Sequence, residues 1–541
     1  MALFDSLLVD ATVALISLLI LLYFYFEYKF TYWKKRGVPF LKPLPIVGNF
    51  KDVLLQWRSP SHFFEDLYNG GRGKPLLGFY IFGRPSLLVR DPAIIKNVLV
   101  KDFNVFFDRH IECDAKTDPL GHLNLFVIKG KPWRHIRSKL TPIFTSGKMR
   151  NMFPLIVNCT VNLKEYLKGL SESSKSSIEV KETMSKFTTD VISSCAYGIE
   201  ANSLKDPDAE FRNFGRYAFT FSFFRTFEMM VMFFFPSFVK LGKFKFFSNV
   251  TTGFLRKIFW DVILTREKNY VKSNDLINLL IQLKNKGSIE DDSNDLKADE
   301  KIMDVGTKIN EFTGDTLVAQ AAVFFTAGFE TTATTLSFCM YELALSPDIQ
   351  TRLRQEILDV MSKNEEITYD SVQGMTYLDM VVSAVELNMS SALANYATEA
   401  ETLRKYTPFA FLDRVCSKDY VEPVTGTIIE KGTTVYMSLH GLHTDPEYFP
   451  EPERFDPERF SEENKRSITP YTYLPFGEGP HNCIGSRFGL MSVKCCLTHI
   501  LSEYEVLKCP ETPFPLQYSN KSIVLASTGG IPLKFKRIVA P

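Results

Sequence analysis

Near the C-terminus the chain reads LPFGEGPHNCIGSRFGLMSVKCC, a glycine-spaced loop from Pro475 to Gly485 that runs straight into an amphipathic helix. Cys483 stands where loop becomes helix, and a thiol so placed can act as a nucleophile, a metal ligand or a plain buried small residue. A second group of reactive side chains is AGFETT, Ala327 to Thr332, which sets Glu330 and two threonine hydroxyls inside an otherwise apolar run. Polar groups in such surroundings need a partner or a purpose. A helical threonine can bond back to the preceding turn, so a packing glycine with satisfied threonines is the competing reading. ETLRKY puts Glu401 and Arg404 three residues apart on one helix face, where they can pair. In WRHIR, Trp133 and Arg137 stand one helical turn apart, an indole donor and a guanidinium suited to a carboxylate. FDPERF lies in a stretch punctuated by Pro446, Pro450, Pro452 and Pro457, so it cannot be regular helix and Arg459 can reach another element. His440 and His443 have a spacing that could ligate a metal, but no third ligand accompanies them, and a solvated pair is the expectation.

The elements that must carry these residues read as mainly α with a small β region. Thr316 to Leu345 holds no proline, one glycine and apolar residues nearly all round, the pattern of a long buried helix. Strand-like runs are short: Gly78 to Ile81, Ser86 to Val89 and Thr427 to Tyr436. Lys284 to Lys308, rich in Asp, Lys, Ser and Glu, reads as a solvated connection. At the other end Leu7 to Phe26 is nearly all apolar and long enough to span a bilayer. Lys29, Lys34, Lys35 and Arg36 follow it, a charge bias that leaves the rest in the cytosol. No positive charge precedes the run and no small-x-small site follows it, which argues against a cleaved signal peptide. The expected organisation is an anchor over 1–28, a basic and proline-rich hinge over 29–50, and a catalytic domain over 51–541. Lys plus Arg number 63 against 62 acidic residues in 541, so bulk charge gives no reason to expect nucleic acid. Nine cysteines, none in CxxC spacing, suit neither a disulfide framework nor a zinc ribbon.

Taken in order, WxxxR at Trp133 and Arg137, AGxETT at Ala327 to Thr332, ExxR at Glu401 and Arg404, PERF at Pro457 to Phe460, and FxxGxxxCxG at Phe476 to Gly485 resemble the signature set of the cytochrome P-450 haem-thiolate monooxygenases. The resemblance covers essentially the whole chain after the anchor. FTSGKMR, Phe144 to Arg150, and DPEYFPEPERFDPERFSEENK, Asp445 to Lys465, are similar to the insect microsomal branch known for xenobiotic metabolism. The resemblance implies the cytochrome P-450 fold and haem b, with Cys483 as the axial thiolate. It implies electrons from NADPH through a separate reductase, and no GxGxxG or phosphate loop is present. Phe476, Gly477, Gly479, His481 and Gly485 would form the haem loop, the glycines letting backbone amides approach the sulfur. Trp133, Arg137, Arg109 and Arg414 would meet the propionates. Glu330 and Thr331 would deliver protons on the distal face, where Gly328 leaves room. Glu401, Arg404 and Arg459 would form a structural ion network. Phe211 to Lys240, Ile111 to Val127, Phe409 to Leu412 and Ala526 to Gly530 resemble substrate-contacting segments, with Met229 to Phe238 also dipping into the membrane. The implied partners are a reductase docking on Arg134, Lys139, Lys148 and Arg150, a b-type cytochrome as second donor, the endoplasmic reticulum membrane and a lipophilic substrate.

Two places depart from the family pattern. His481 stands where most members carry arginine, so its propionate contact should be weaker. Ala384 to Ala400 is inserted between VVS and ETLRKY, which family members join directly. Seventeen residues at 100° each rotate a helix by about 260°, so both flanks stay packed only if the insert loops out. Its expected origin is translated non-coding sequence of a length divisible by three. Insertion of one oxygen atom into a lipophilic molecule is the leading function. A haem-thiolate isomerase or dehydratase of oxygenated lipids, and a haem-deficient inactive product of the 384–400 insertion, are the alternatives.

Overall fold

The computed structural model describes residues 2–172, 177–206, 208–219, 222–270, 272–289, 314–382 and 401–538. The chain divides into two compact units, Met1–His110 with Phe411–Leu442, and Ile111–Ala410 with His443–Pro541.

The first unit opens with the helix Ala2–Phe30. Val9–Lys35 is long and apolar enough to cross a membrane, and its most apolar window is not buried in the protein at all. Just beyond it Trp33 is fully buried, with its indole Nε1 donating to Phe79 O at 3.2 Å. The ring lies so close to Gly78 that a Cβ there would come within 2.5 Å of it, which is why a glycine interrupts an otherwise bulky strand. The main sheet runs β1-β2-β7-β4. Here β1 is Leu76–Ile81, β2 is Arg84–Val89, β4 is Phe411–Val415 and β7 is Thr434–Ser438. β2 pairs parallel with β7, placing Leu87 opposite Val435, and the other pairs are antiparallel. The run Thr427 to Tyr436 is not one strand. Its first part, β6 (Ile428–Ile429), pairs with β5 (Tyr420–Val421), and Gly432, at φ +87°, turns the chain before β7.

The second unit is built on the central helix Asp315–Leu345, whose residues are nearly all buried, as its all-round apolar pattern requires. It packs along the helix Val180–Ile192. At the crossing, a Cβ on Gly328 would meet Ile192 Cδ1 at 2.5 Å, so this glycine admits a neighbouring helix as well as any ligand. The helix Ser486–Leu501 starts three residues after Cys483 and packs against the helix Ser146–Glu172. A three-stranded sheet, β3 (Ile178–Glu179), β9 (Pro532–Arg537) and β8 (Tyr504–Lys508), closes the unit. Lys284 and Lys286 do not belong to a solvated connection. They end the helix Leu276–Lys286, which Gly287 stops at φ +69°. The rest of that connection from 290 on, and the insertion 384–400, lie outside the described residues.

Candidate active site

The cysteine loop is fixed by its own backbone. Cys483 N donates to Phe476 O at 2.8 Å and Gly477 N to Leu474 O at 2.9 Å. Gly477 and Gly479 both sit at φ +70°, a conformation that disfavours any other residue, whereas Gly485 has an ordinary φ of −96°. Two of the three glycines are therefore demanded by backbone shape. Cys483 is exposed, while Cys159, Cys195, Cys339, Cys495 and Cys496 are buried. Burial pushes the Cys159 and Cys339 thiols up to about 12, so they stay protonated and inert. Cys483 lines a cavity together with Phe476 and Gly485, and with Ala327, Gly328, Thr331 and Thr332 of the central helix.

On that helix Thr331 Oγ1 donates to Ala327 O at 2.6 Å. Glu330 pairs with Lys181 Nζ at 2.8 Å, and the same ammonium donates to Thr334 Oγ1 at 2.9 Å. Lys181 was not legible as a site residue. It lies about 150 positions earlier in an ordinary amphipathic stretch, and only the packing of two helices brings it to Glu330.

The helix Gly130–Leu140 carries both residues of the WxxxR pair. Arg137 donates to Asn482 O at 3.0 Å and to Asn482 Oδ1 at 2.5 Å, which ties the guanidinium to the residue next to the thiol. Trp133 packs against His481 with ring centroids 3.7 Å apart and the ring planes tilted by 35°. Histidine at 481 thus makes an aromatic contact with the tryptophan of the WxxxR pair. Arg109 and Arg414 belong to the first unit. There Arg414 is buried, its pKa pulled down to about 9 by desolvation and then by Arg109, and its Nε has no partner among the described residues.

Glu401, Arg404 and Arg459 come together as expected. Arg404 makes a bidentate pair with Glu401 at 2.7 and 2.6 Å, both side chains being 0% exposed, and also donates to His443 O and Pro452 O. Arg459 Nε lies 3.5 Å from Glu401 Oε1, reached from a 3-10 turn, Pro457–Phe460. His443 is not solvated. It is buried, and its Nε2 accepts from Leu474 N at 2.9 Å. On either side of the insertion the helices Thr376–Val382 and Glu401–Lys405 keep a common register. Thr402 Oγ1 donates to Val381 O at 2.8 Å, and when 384–400 are left out of the count Thr402 is the fourth residue after Val381. That is the back-bond of a continuous helix.

A second cavity, of about 490 Å³, is lined by Tyr217, Phe224, Met229, Phe233, Phe409 and Thr326 among others. Thr326 of the central helix lines this cavity, and its sequence neighbour Ala327 lines the one at Cys483. The Phe211 to Lys240 and Phe409 segments are lining segments, but Ile111 to Val127 does not line this cavity. From the C-terminal segment it is Ile523 and Val524 that do, ahead of Ala526. Met229 to Phe234 are buried, contrary to a membrane-facing role. The exposed apolar residues here are Phe223, Phe224, Phe238 and Leu241.

The residues fit a haem. A reachable thiol in a loop held by glycines lines one cavity with Ala327, Gly328 and the hydroxyl-bearing Thr331 and Thr332 of the central helix, an apolar slot with a ligand on one wall. The cytochrome P-450 pattern matches residues 38–535, and the chain belongs to that family of monooxygenases. It is 54% identical over 534 residues to cytochrome P-450 6k1 of Blattella germanica, with 98% of each chain covered. It is 40% identical to cytochrome P-450 6j1 of the same organism, covering 99% of each, and 39% identical to probable cytochrome P-450 6g2 of Drosophila melanogaster, covering 94% and 95%.

Proposed function

We propose that the protein is a membrane-anchored haem-thiolate monooxygenase that inserts one atom of dioxygen into lipophilic small molecules, xenobiotics among them. NADPH would supply the electrons through a reductase at the endoplasmic reticulum, with the catalytic part cytosolic. The observation that carries this reading is the shared central helix. Its residues Ala327, Gly328, Thr331 and Thr332 line the cavity of Cys483 while Thr326, next in line, lines an aromatic-walled cavity. Cys483 would be the ligand, and Trp133, Arg137, His481, Arg109 and Arg414 would hold the propionates. When bound, haem would supply the redox chemistry, in which substrate, dioxygen, two electrons and two protons give a hydroxylated product and water.

The chain's own residues would do the rest. The aromatic walls select apolar ligands and exclude water. Glu330, held by one lysine, can leave Lys181, take a proton from solvent and pass it to the hydroxyl of Thr331. As Thr331 Oγ1 takes that proton it would release its own, which at rest is hydrogen-bonded to Ala327 O, into the cavity it shares with Cys483. Exposed Phe223, Phe224, Phe238 and Leu241 would rest on the lipid surface from which substrates come. The test is a reduced carbon monoxide difference spectrum, followed by incorporation of labelled dioxygen that depends on NADPH and reductase. A thiolate band with no label in product would favour an isomerase or dehydratase, and no band would leave the inactive reading.

A further inference from the structure

The turn that roofs the 490 Å³ cavity is gripped from two sides. Phe246, Phe247 and Ser248 line the cavity, at the end of an irregular stretch between the helices Pro236–Gly242 and Asn249–Asn269. Lys243, at φ +53°, caps the helix Pro236–Gly242 and begins that stretch. From outside the cavity Asp118 reaches it. This carboxylate is 1% exposed, and it accepts from Phe246 N at 2.6 Å and Phe247 N at 3.1 Å, while its other oxygen accepts from Gly121 N at 2.9 Å. A Cβ on Gly121 would lie 2.1 Å from Asp118 Oδ2, so the glycine is there to let the carboxylate through. From the cavity side Arg225 donates to Lys245 O at 2.6 Å and to Phe246 O, and is itself held by Glu228 at 3.1 Å.

The two grips differ in firmness. Asp118 begins the short helix Pro119–Leu123, whose far end is fixed to the central helix: buried Gln320 accepts from Leu125 N at 3.0 Å and donates to Leu123 O at 2.9 Å. Asp118 is therefore a fixed post, and the 243–247 turn, which belongs to no helix or strand, depends on it and on Arg225 for its position. Arg225, by contrast, is borne on the same helix as other lining residues and is partly exposed. A buried carboxylate bound to amides of a distant turn commits a charge to holding that turn in place.

We propose that Asp118 is the latch of the cavity roof, a positioning residue that holds the 243–247 turn shut from outside while Arg225 holds it from within, so that the pair sets how fast bulky ligands enter and leave. The proposal rests on the reading that this cavity receives substrate. In stopped-flow mixing of the full-length haem protein in phosphatidylcholine nanodiscs, two probes separate the outcomes: clotrimazole, a bulky azole, and imidazole, a small one, each read by its Soret shift. For Asp118→Ala the clotrimazole association and dissociation rates should both rise about tenfold, the size expected from losing charge-assisted hydrogen bonds in the closed state, with Kd within about twofold. Imidazole rates should not change. Arg225→Gln, which breaks the other grip with Asp118 intact, should give the same signature more weakly, and it keeps the test open if Asp118→Ala folds poorly. Clotrimazole rates unchanged in both variants, or imidazole rates rising as much, overturn the latch. Absence of any Soret shift in the unaltered protein would instead remove the haem-enzyme reading, and the latch with it.

Discussion

Glu401 and Glu330 are both helical glutamates in a protein interior, and they are held in opposite ways. Glu401 is fully buried, bound bidentate by Arg404, approached by Arg459 and hydrogen-bonded by Asp456 N at 3.1 Å. Glu330 has one lysine, which is 26% exposed and is shared with Thr334. A planar guanidinium fork fixes a carboxylate in orientation, whereas an ammonium on a four-carbon stem only attracts it. The contrast separates a carboxylate fixed in place from one held loosely. The first is suited to holding the fold, and the second has the freedom that the proposed proton transfer would need.

The comparison breaks most visibly at Arg404. Arg404→Ala leaves a buried, uncompensated glutamate, and should cost about 3–5 kcal/mol. Thermal unfolding should shift down accordingly, and the haem-to-protein ratio on purification should collapse. Retention of normal haem content would mean that Glu401 is not the fixed member of the pair. Glu330→Gln should do the reverse: unfolding within about 1 kcal/mol of the unaltered protein, but product formation slower by about a hundredfold, with an altered solvent isotope effect. A large stability loss with normal turnover would exchange the two roles.

The third test concerns the helix that carries Glu401. Its register across the insertion is that of a helix from which 384–400 are missing, so excising those seventeen residues should join Val382 and Ser383 to Glu401 without strain. Closing a loop of this length costs about 2 kcal/mol of chain entropy, and the excised protein should be more stable by roughly that amount. Chemical denaturation measures it. A destabilised product would show that the insertion supports Glu401 and does not merely interrupt its helix.

Much of this arrangement was legible in the sequence, for reasons that differ by residue. The central helix announced itself because all-round apolarity over thirty residues has few other solutions. Gly477 and Gly479 were legible because they answer a local backbone demand, and the Glu401–Arg404 pair because i,i+3 spacing settles it on one helix. Lys181, Asn482 and Asp118 were not, since each acts on a partner far away in the chain and no local pattern marks it. Gly328 was read for the space it leaves, but its neighbour Ile192 lies on another helix. Met229 to Phe234 are buried where a lipid-facing run is expected, because an apolar run looks the same whether it faces lipid or core.

Asp379 tests where the line between the two kinds of carboxylate falls. It sits on the helix Thr376–Val382, buried like Glu401 but paired, like Glu330, with a lysine, Lys494 of the helix that follows Cys483. Desolvation raises its pKa to about 7, with Glu356 adding to the rise and Lys494 opposing it. Between its ordinary value of 3.8 and about 7 the folded protein then binds a proton that the unfolded chain does not, so this group's contribution to stability falls as pH rises through that window and levels off above it. The slope is at most about 1.4 kcal/mol per pH unit. His499, whose pKa burial lowers to about 4, acts with the opposite sign between that value and 6.5, so the raw profile mixes the two. Burial also lowers Lys494, and Asp379 opposes that fall. The difference between unaltered protein and Asp379→Asn isolates the aspartate: the variant should lose the fall in unfolding free energy between pH 5 and 7 while keeping the His499 rise. Parallel profiles would show that Asp379 keeps its charge across this window, held by Lys494 as firmly as Glu401 is held by Arg404.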